Sequence, residues 1–163
     1  MKQTKKQVKK VAKKQESGRS MIEMVGVLAI MGLVTAGAFV LIQSGLSSQK
    51  ISRTSDELDI LVSNARSMTA QSDNFGSLGT TMASGKTLAK SMLKSDGKSP
   101  MGGAYYVYAG GTDNKDLYVG IDDISESDCT TMAARSYSSS TATACANGTT
   151  TDLKALKITY GKQ

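Results

Sequence analysis

The sequence predicts an α+β protein in which a long N-terminal α-helix, transmembrane in its first half and amphipathic in its second, packs on a small antiparallel sheet. Three patterns lead there. Met24 to Ile42 is a charge-free run of 19 apolar and small residues, and about 20 such residues cross the hydrocarbon of a bilayer. Behind it Ile51, Leu58, Leu61, Val62, Ala65 and Met68 keep to one face of a 3.6-residue helix. After the only proline, Pro100, come three β-rich runs: Ala104 to Ala109, Leu117 to Ile121 and Ala155 to Tyr160.

The chain begins with a basic segment. Residues 1–18 hold seven lysines against one acid, Glu16, for a net +6, whereas the other 145 residues carry 13 basic and 13 acidic side chains that cancel. All of the net charge is therefore in the leader. A lysine run just before an apolar helix holds the N-terminus in the cytoplasm and sends the C-terminal part across the membrane. The run is thus read as an orientation signal, and no specific nucleic-acid contact is predicted.

The next element carries the most informative residue. Glu23 stands at the N-terminal edge of the apolar run, where a carboxylate is costly to bury and calls for a charged partner or a function. It is the fifth residue counted from Arg19, after Ser17-Gly18. A short basic leader ending in Gly18, Glu23 at the fifth position beyond the cut, and the apolar helix behind it resemble a type IV prepilin. The resemblance implies cleavage after Gly18 by a prepilin peptidase, methylation of the new amino terminus at Arg19, and assembly of the product, residues 19–163, into a helical fibre. Family members usually begin the mature chain with an apolar residue, and this one would begin with Arg19. A secretory signal peptide shares the basic-then-apolar pattern. Gly45-Leu46-Ser47 offers it a cut that would leave Ser48 at the N-terminus.

Past the membrane the pattern stays helical. Arg53, Asp56, Glu57, Asp59 and Arg66 supply a charged face opposite the apolar stripe, from which Ile60 departs. No proline interrupts a helix from about Ser20 to about Thr69, and Gly76 in the polar stretch Gln71 to Gly79 is its expected stop. Such a helix is roughly 75 Å long, which predicts a lollipop form. The domain division is a leader over 1–18, a transmembrane and assembly helix over 19–48, and a globular head over 49–163.

Within the head, Met82 to Lys94 predicts a short helix with Leu88, Met92 and Leu93 to one side. Lys86, Lys90, Lys94 and Lys98 recur every four residues and read as a solvated face. The first two β-rich runs are joined by the turn-forming Gly110 to Asp116. Ser125, with Asp128 three residues on, predicts a capped helix start.

The two cysteines, Cys129 and Cys145, lie between the second and third β-rich runs. An even count in an exported segment predicts a disulfide. It would restrain a Ser/Thr tract, Ser136 to Ala144, that has few apolar side chains to hold itself down. This C-terminal bridge again resembles the pilins. The stretch from Val119 to Met132, a strand leading into a short helix that bears the first cysteine, resembles the type IVb branch.

In that family Glu23 of one subunit approaches the terminal amine of a neighbour. Such a pair attracts strongly away from water but must first be desolvated, so its main effect is to set register. The larger driving force is packing of the apolar helices, with Gly26, Ala29, Gly32, Ala36 and Gly37 permitting close approach. Glycine lowers helix stability by about 1 kcal/mol against alanine, which makes Gly32 and Gly37 the expected place for the helix to loosen on assembly.

Nothing predicts an enzyme, a cofactor or a metal. The chain has no histidine, and its glycine pairs lack phosphate-loop spacing. Asp113, Asp116, Asp122, Asp123, Glu126 and Asp128 do not match an EF-hand and read as solvated turn and helix-start acids. The resemblance implies a pilus subunit supporting adhesion, aggregation, motility or DNA transfer. Its partners would be further copies of itself, the peptidase and the assembly machinery. The bacterial inner membrane holds the precursor, and the cell surface carries the fibre. A pseudopilin of a type II secretion system and a membrane-anchored or secreted binding module are the other readings.

Overall fold

The computed structural model describes residues 21–149 and 153–162. Among them, three α-helices and four strands run in the order α1 (Met21–Met68), α2 (Met82–Leu93), β1 (Ala104–Gly110), β2 (Asp116–Ile124), α3 (Glu126–Ala133), β3 (Ala142–Asn147) and β4 (Lys154–Gly161). The α+β class and the long N-terminal helix are those predicted, and α1 ends within a residue of the expected Thr69. The chain divides into two compact units between Gln43 and Ser44.

In the first unit α1 is exposed on every side. Thr35 hides its hydroxyl by donating to the Met31 carbonyl at 2.7 Å, so the one polar side chain between Met24 and Ile42 presents no free donor to an apolar surrounding.

In the second unit the sheet has the order β1-β2-β4-β3, antiparallel at every pairing. Register places Tyr105 beside Ile121 and Leu156, Val107 beside Val119 and Ile158, and Ala109 beside Leu117 and Tyr160. These rows form one face, and Leu58, Leu61, Val62 and Ala65 of α1 are buried in the same core. The predicted stripe thus holds as far as Ala65. Met68 is a correction: with 60% of its surface exposed it lies off the buried face, as Ile60 does at 48%. Thr54, polar and unforeseen, is buried instead, and its hydroxyl lies 3.2 Å from that of Ser99.

The opposite sheet face is aromatic. Tyr106 and Tyr108 lie 5.6 Å apart, Tyr108 meets Tyr118 edge-on at 5.3 Å, and the Lys157 ammonium sits 4.8 Å from the Tyr118 ring centre. Gly120 separates Tyr106 from Lys157 in the register. A Cβ there would overlap the Leu156 carbonyl and come within 2.7 Å of the Tyr106 hydroxyl. Its absence lets Tyr106 reach across β2 and donate to Leu156 O on β4 at 2.7 Å.

The stretch Gln71 to Gly79, read as polar, contributes Phe75 and Leu78 to the core, and its Gly76 opens a short 3-10 turn rather than ending the helix. Helix α2 starts at Thr81, whose side chain accepts from the Ser84 amide. Its backbone lies directly against β1, since a Cβ on Gly85 would come within 2.7 Å of Val107 O.

The sequence predicted three strands, and the sheet has a fourth. β3, inside the Ser/Thr-rich region, pairs with β4 along its whole length and forms an outer edge of the sheet. Its residues are small and mostly exposed, so no apolar alternation announces it.

Candidate functional site

The residues predicted to be the processing site, Gly18 and Arg19, lie outside the described residues. Glu23 is in the first turn of α1, where a carboxylate is favoured by the exposed amides and positive end of the helix. It is exposed, and among the described residues the one ion pair is elsewhere. From Met24 to Gln49 there is no further charged side chain. This is the one helix among the described residues that is long and apolar enough to cross a membrane. The side chains of Val25, Leu28, Met31, Leu33, Val34, Phe39 and Leu41 are all largely exposed. Open space surrounds Gly26, Gly32 and Gly37, so another helix can approach the backbone there. In the single chain the helix runs unbroken through Gly32 and Gly37.

The second locus is the disulfide. Cys129 on α3 and Cys145 on β3 are bonded, with Cα atoms 6.0 Å apart. α3 begins as predicted: the Asp128 amide donates to Ser125 Oγ at 3.1 Å, and the Ser125 hydroxyl donates to Asp128 Oδ2 at 2.7 Å. The tract between the cysteines has a further anchor in Tyr137, which is buried and donates to Met132 O at 3.1 Å.

The lysine stripe and the acidic cluster both need correcting. Lys90, Lys94 and Lys98 are exposed, but Lys94 is the left-handed cap of α2 and Lys98 lies beyond it. Lys86 is not part of a solvated face, because its ammonium lies 2.5 Å from Asp122 Oδ2. Asp122 in turn is fully buried rather than a solvated turn acid. It accepts from the Thr149 amide at 3.0 Å and from the Thr149 hydroxyl. One carboxylate thus ties α2, β2 and the turn after β3 together. The partners are 36 and 27 residues away in sequence, so spacing along the chain gave no signal. Among the described residues no group of three or more His, Cys, Asp or Glu side chains is placed to hold a metal.

Burial raises the Asp122 pKa, while the Lys86 ammonium and the two Thr149 donors lower it, and the net position is below the ordinary carboxylate value of 3.8. A depressed folded-state pKa stabilises the fold above the unfolded value, and this contribution is lost as pH falls through the folded one. Thermal melts of wild type are therefore expected to weaken below about pH 4, and Asp122→Asn is expected to flatten that limb of the curve. At pH 7, Lys86→Met is expected to cost about 2 kcal/mol, less than the ~3–5 kcal/mol of a fully buried pair because the lysine side chain keeps 30% of its surface exposed. Denaturant titration measures it.

Comparison with protein-family models, curated proteins and solved structures gives no match in any of the three. Among the described residues, the fold and these loci define one potential membrane-spanning helix and a disulfide-bonded α+β unit.

Proposed function

We propose that the chain is a type IV pilin: cut after Gly18, methylated at Arg19, held in the bacterial inner membrane by its apolar helix, and polymerised into a surface fibre. The observation that carries this reading is Glu23 at the head of a helix whose apolar residues from Met24 to Ile42 are exposed all round. That much apolar surface is unstable in water and must meet lipid or other apolar helices. A bilayer accounts for the apolar residues and leaves the carboxylate without a counter-charge. A second copy, bringing the amine of Arg19, accounts for both. The proposed partners are therefore further copies of the chain, with the peptidase and assembly machinery acting before them. The disulfide supports an extracellular destination, since such bonds persist in oxidising surroundings.

Electron microscopy of material sheared from cells, with intact-mass measurement of its main subunit, tests the proposal. Long fibres whose subunit begins at methylated Arg19 are expected. Short assemblies confined to the periplasm would favour a pseudopilin. A subunit that begins at Ser48, or that keeps its lysine-rich leader, would overturn the reading.

A further inference from the structure

A cleft of about 200 Å³ opens at the C-terminal end of α1, lined by Arg66, Ala70, Phe75, Gly161 and Lys162. The two charged side chains on its wall are both cationic, and neither has an acidic partner among the described residues. Both are fixed in place. The Arg66 guanidinium lies over the Tyr160 ring, 5.5 Å from its centre. The Lys162 ammonium lies 4.9 Å from the centre of the Phe75 ring and donates to Thr69 O at 2.6 Å. Lys162 directly follows the end of β4, two residues after Tyr160. One guanidinium nitrogen, Arg66 Nη2, is buried and makes no hydrogen bond, and the Tyr160 hydroxyl is buried and unpaired too.

Two fixed like charges with no counter-charge among the described residues repel, and a buried donor left unmade costs about 1–3 kcal/mol. Buried polar groups in folded proteins are nearly always satisfied, so a guanidinium on the wall of a cleft with an unpaired nitrogen is short of an acceptor. The acceptor that fits is an oxyanion. Its oxygens can take parallel N–H bonds from an arginine fork, and its charge offsets both cations.

We propose that this cleft binds a small oxyanion, a phosphate or carboxylate group, between Arg66 and Lys162. The group is free in solution or the end of a larger molecule, and the chemistry of recognition is the same for both. The site lies wholly in the second unit and does not depend on fibre assembly.

The test is nuclear magnetic resonance of the full chain in detergent micelles, titrated with phosphate, sulfate and acetate against chloride at constant ionic strength. Saturable shifts of the Gly161 amide and the Arg66 side-chain signal are expected with at least one of the three oxyanions. Phosphate above acetate would indicate a phosphate-bearing ligand, and the reverse order a carboxylate. Arg66→Lys is expected to weaken binding about tenfold, because a point charge cannot replace the fork. Lys162→Gln is expected to weaken it similarly, and this variant decides the matter should changes at Arg66 disturb folding. Shifts equal to those in chloride, no shift with any oxyanion, or shifts that persist in Lys162→Gln would each overturn the proposal.

Discussion

Glu23→Ala is expected to leave the chain in the membrane and to abolish fibres. Insertion depends on the apolar run and the basic leader, neither of which the substitution touches; removing a carboxylate from the edge of the run favours insertion slightly. Assembly is different. On the proposed reading each added subunit pairs its carboxylate with an amine among apolar helices. Removing one member of a buried pair leaves the other uncompensated, at about 3–5 kcal/mol. Every 1.4 kcal/mol is a factor of ten, so subunit addition weakens by roughly a hundredfold or more. Membrane fractionation combined with microscopy of sheared material reads both halves of the prediction. Glu23→Gln, which keeps the shape and some hydrogen bonding without the charge, is expected to fall between. Normal fibres from Glu23→Ala would remove the assigned role, because the exposed apolar helix alone would then suffice for assembly.

The second large effect is expected from the disulfide. Cys129 and Cys145 are 16 residues apart in sequence, and closing a loop of that size restricts the unfolded chain by about 3 kcal/mol. The enclosed tract contributes only Tyr137 and Met132 to the core besides Cys129, so little else makes up the loss. Replacing both cysteines by serine is expected to lower the melting temperature by roughly 10 °C for a unit of this size. Amide exchange is expected to rise first in β3, whose side chains bury almost nothing. Calorimetry with and without a thiol reductant measures the first effect and exchange mass spectrometry the second. A reduced protein that melts at the same temperature would show the bridge to be dispensable.

The legibility of each element in the chain alone tracks the range of the forces involved. The long helix, the three apolar strands, the Ser125 cap and the cysteine pair are written in local periodicity, in i to i+3 spacing or in simple counting, and they stand as predicted. The fourth strand is not local. Ala142 to Asn147 has no apolar alternation because its side chains face outward, and it is a strand because β4 offers it a partner. Asp122 shows the same limit: its ladder position and Lys86 bury it, and its immediate neighbours give no hint of either. Phe75 and Leu78 were hidden by the polar residues around them. The cationic cleft depends on Arg66 and Lys162, which are nearly a hundred residues apart.

The position of β3 at the rim of the sheet has a further consequence. Its outward row of amides and carbonyls has no lysine, proline or bulge to turn away a foreign strand, and Ala142, Ala144 and Ala146 are too small to shield it. At high concentration that rim would be open to pairing with the edge strand of another molecule. Because Cys145 pins the strand in its middle, the bond sets how far the rim can peel, and correct oxidation becomes a safeguard against off-route clumping as well as a brace for a single molecule.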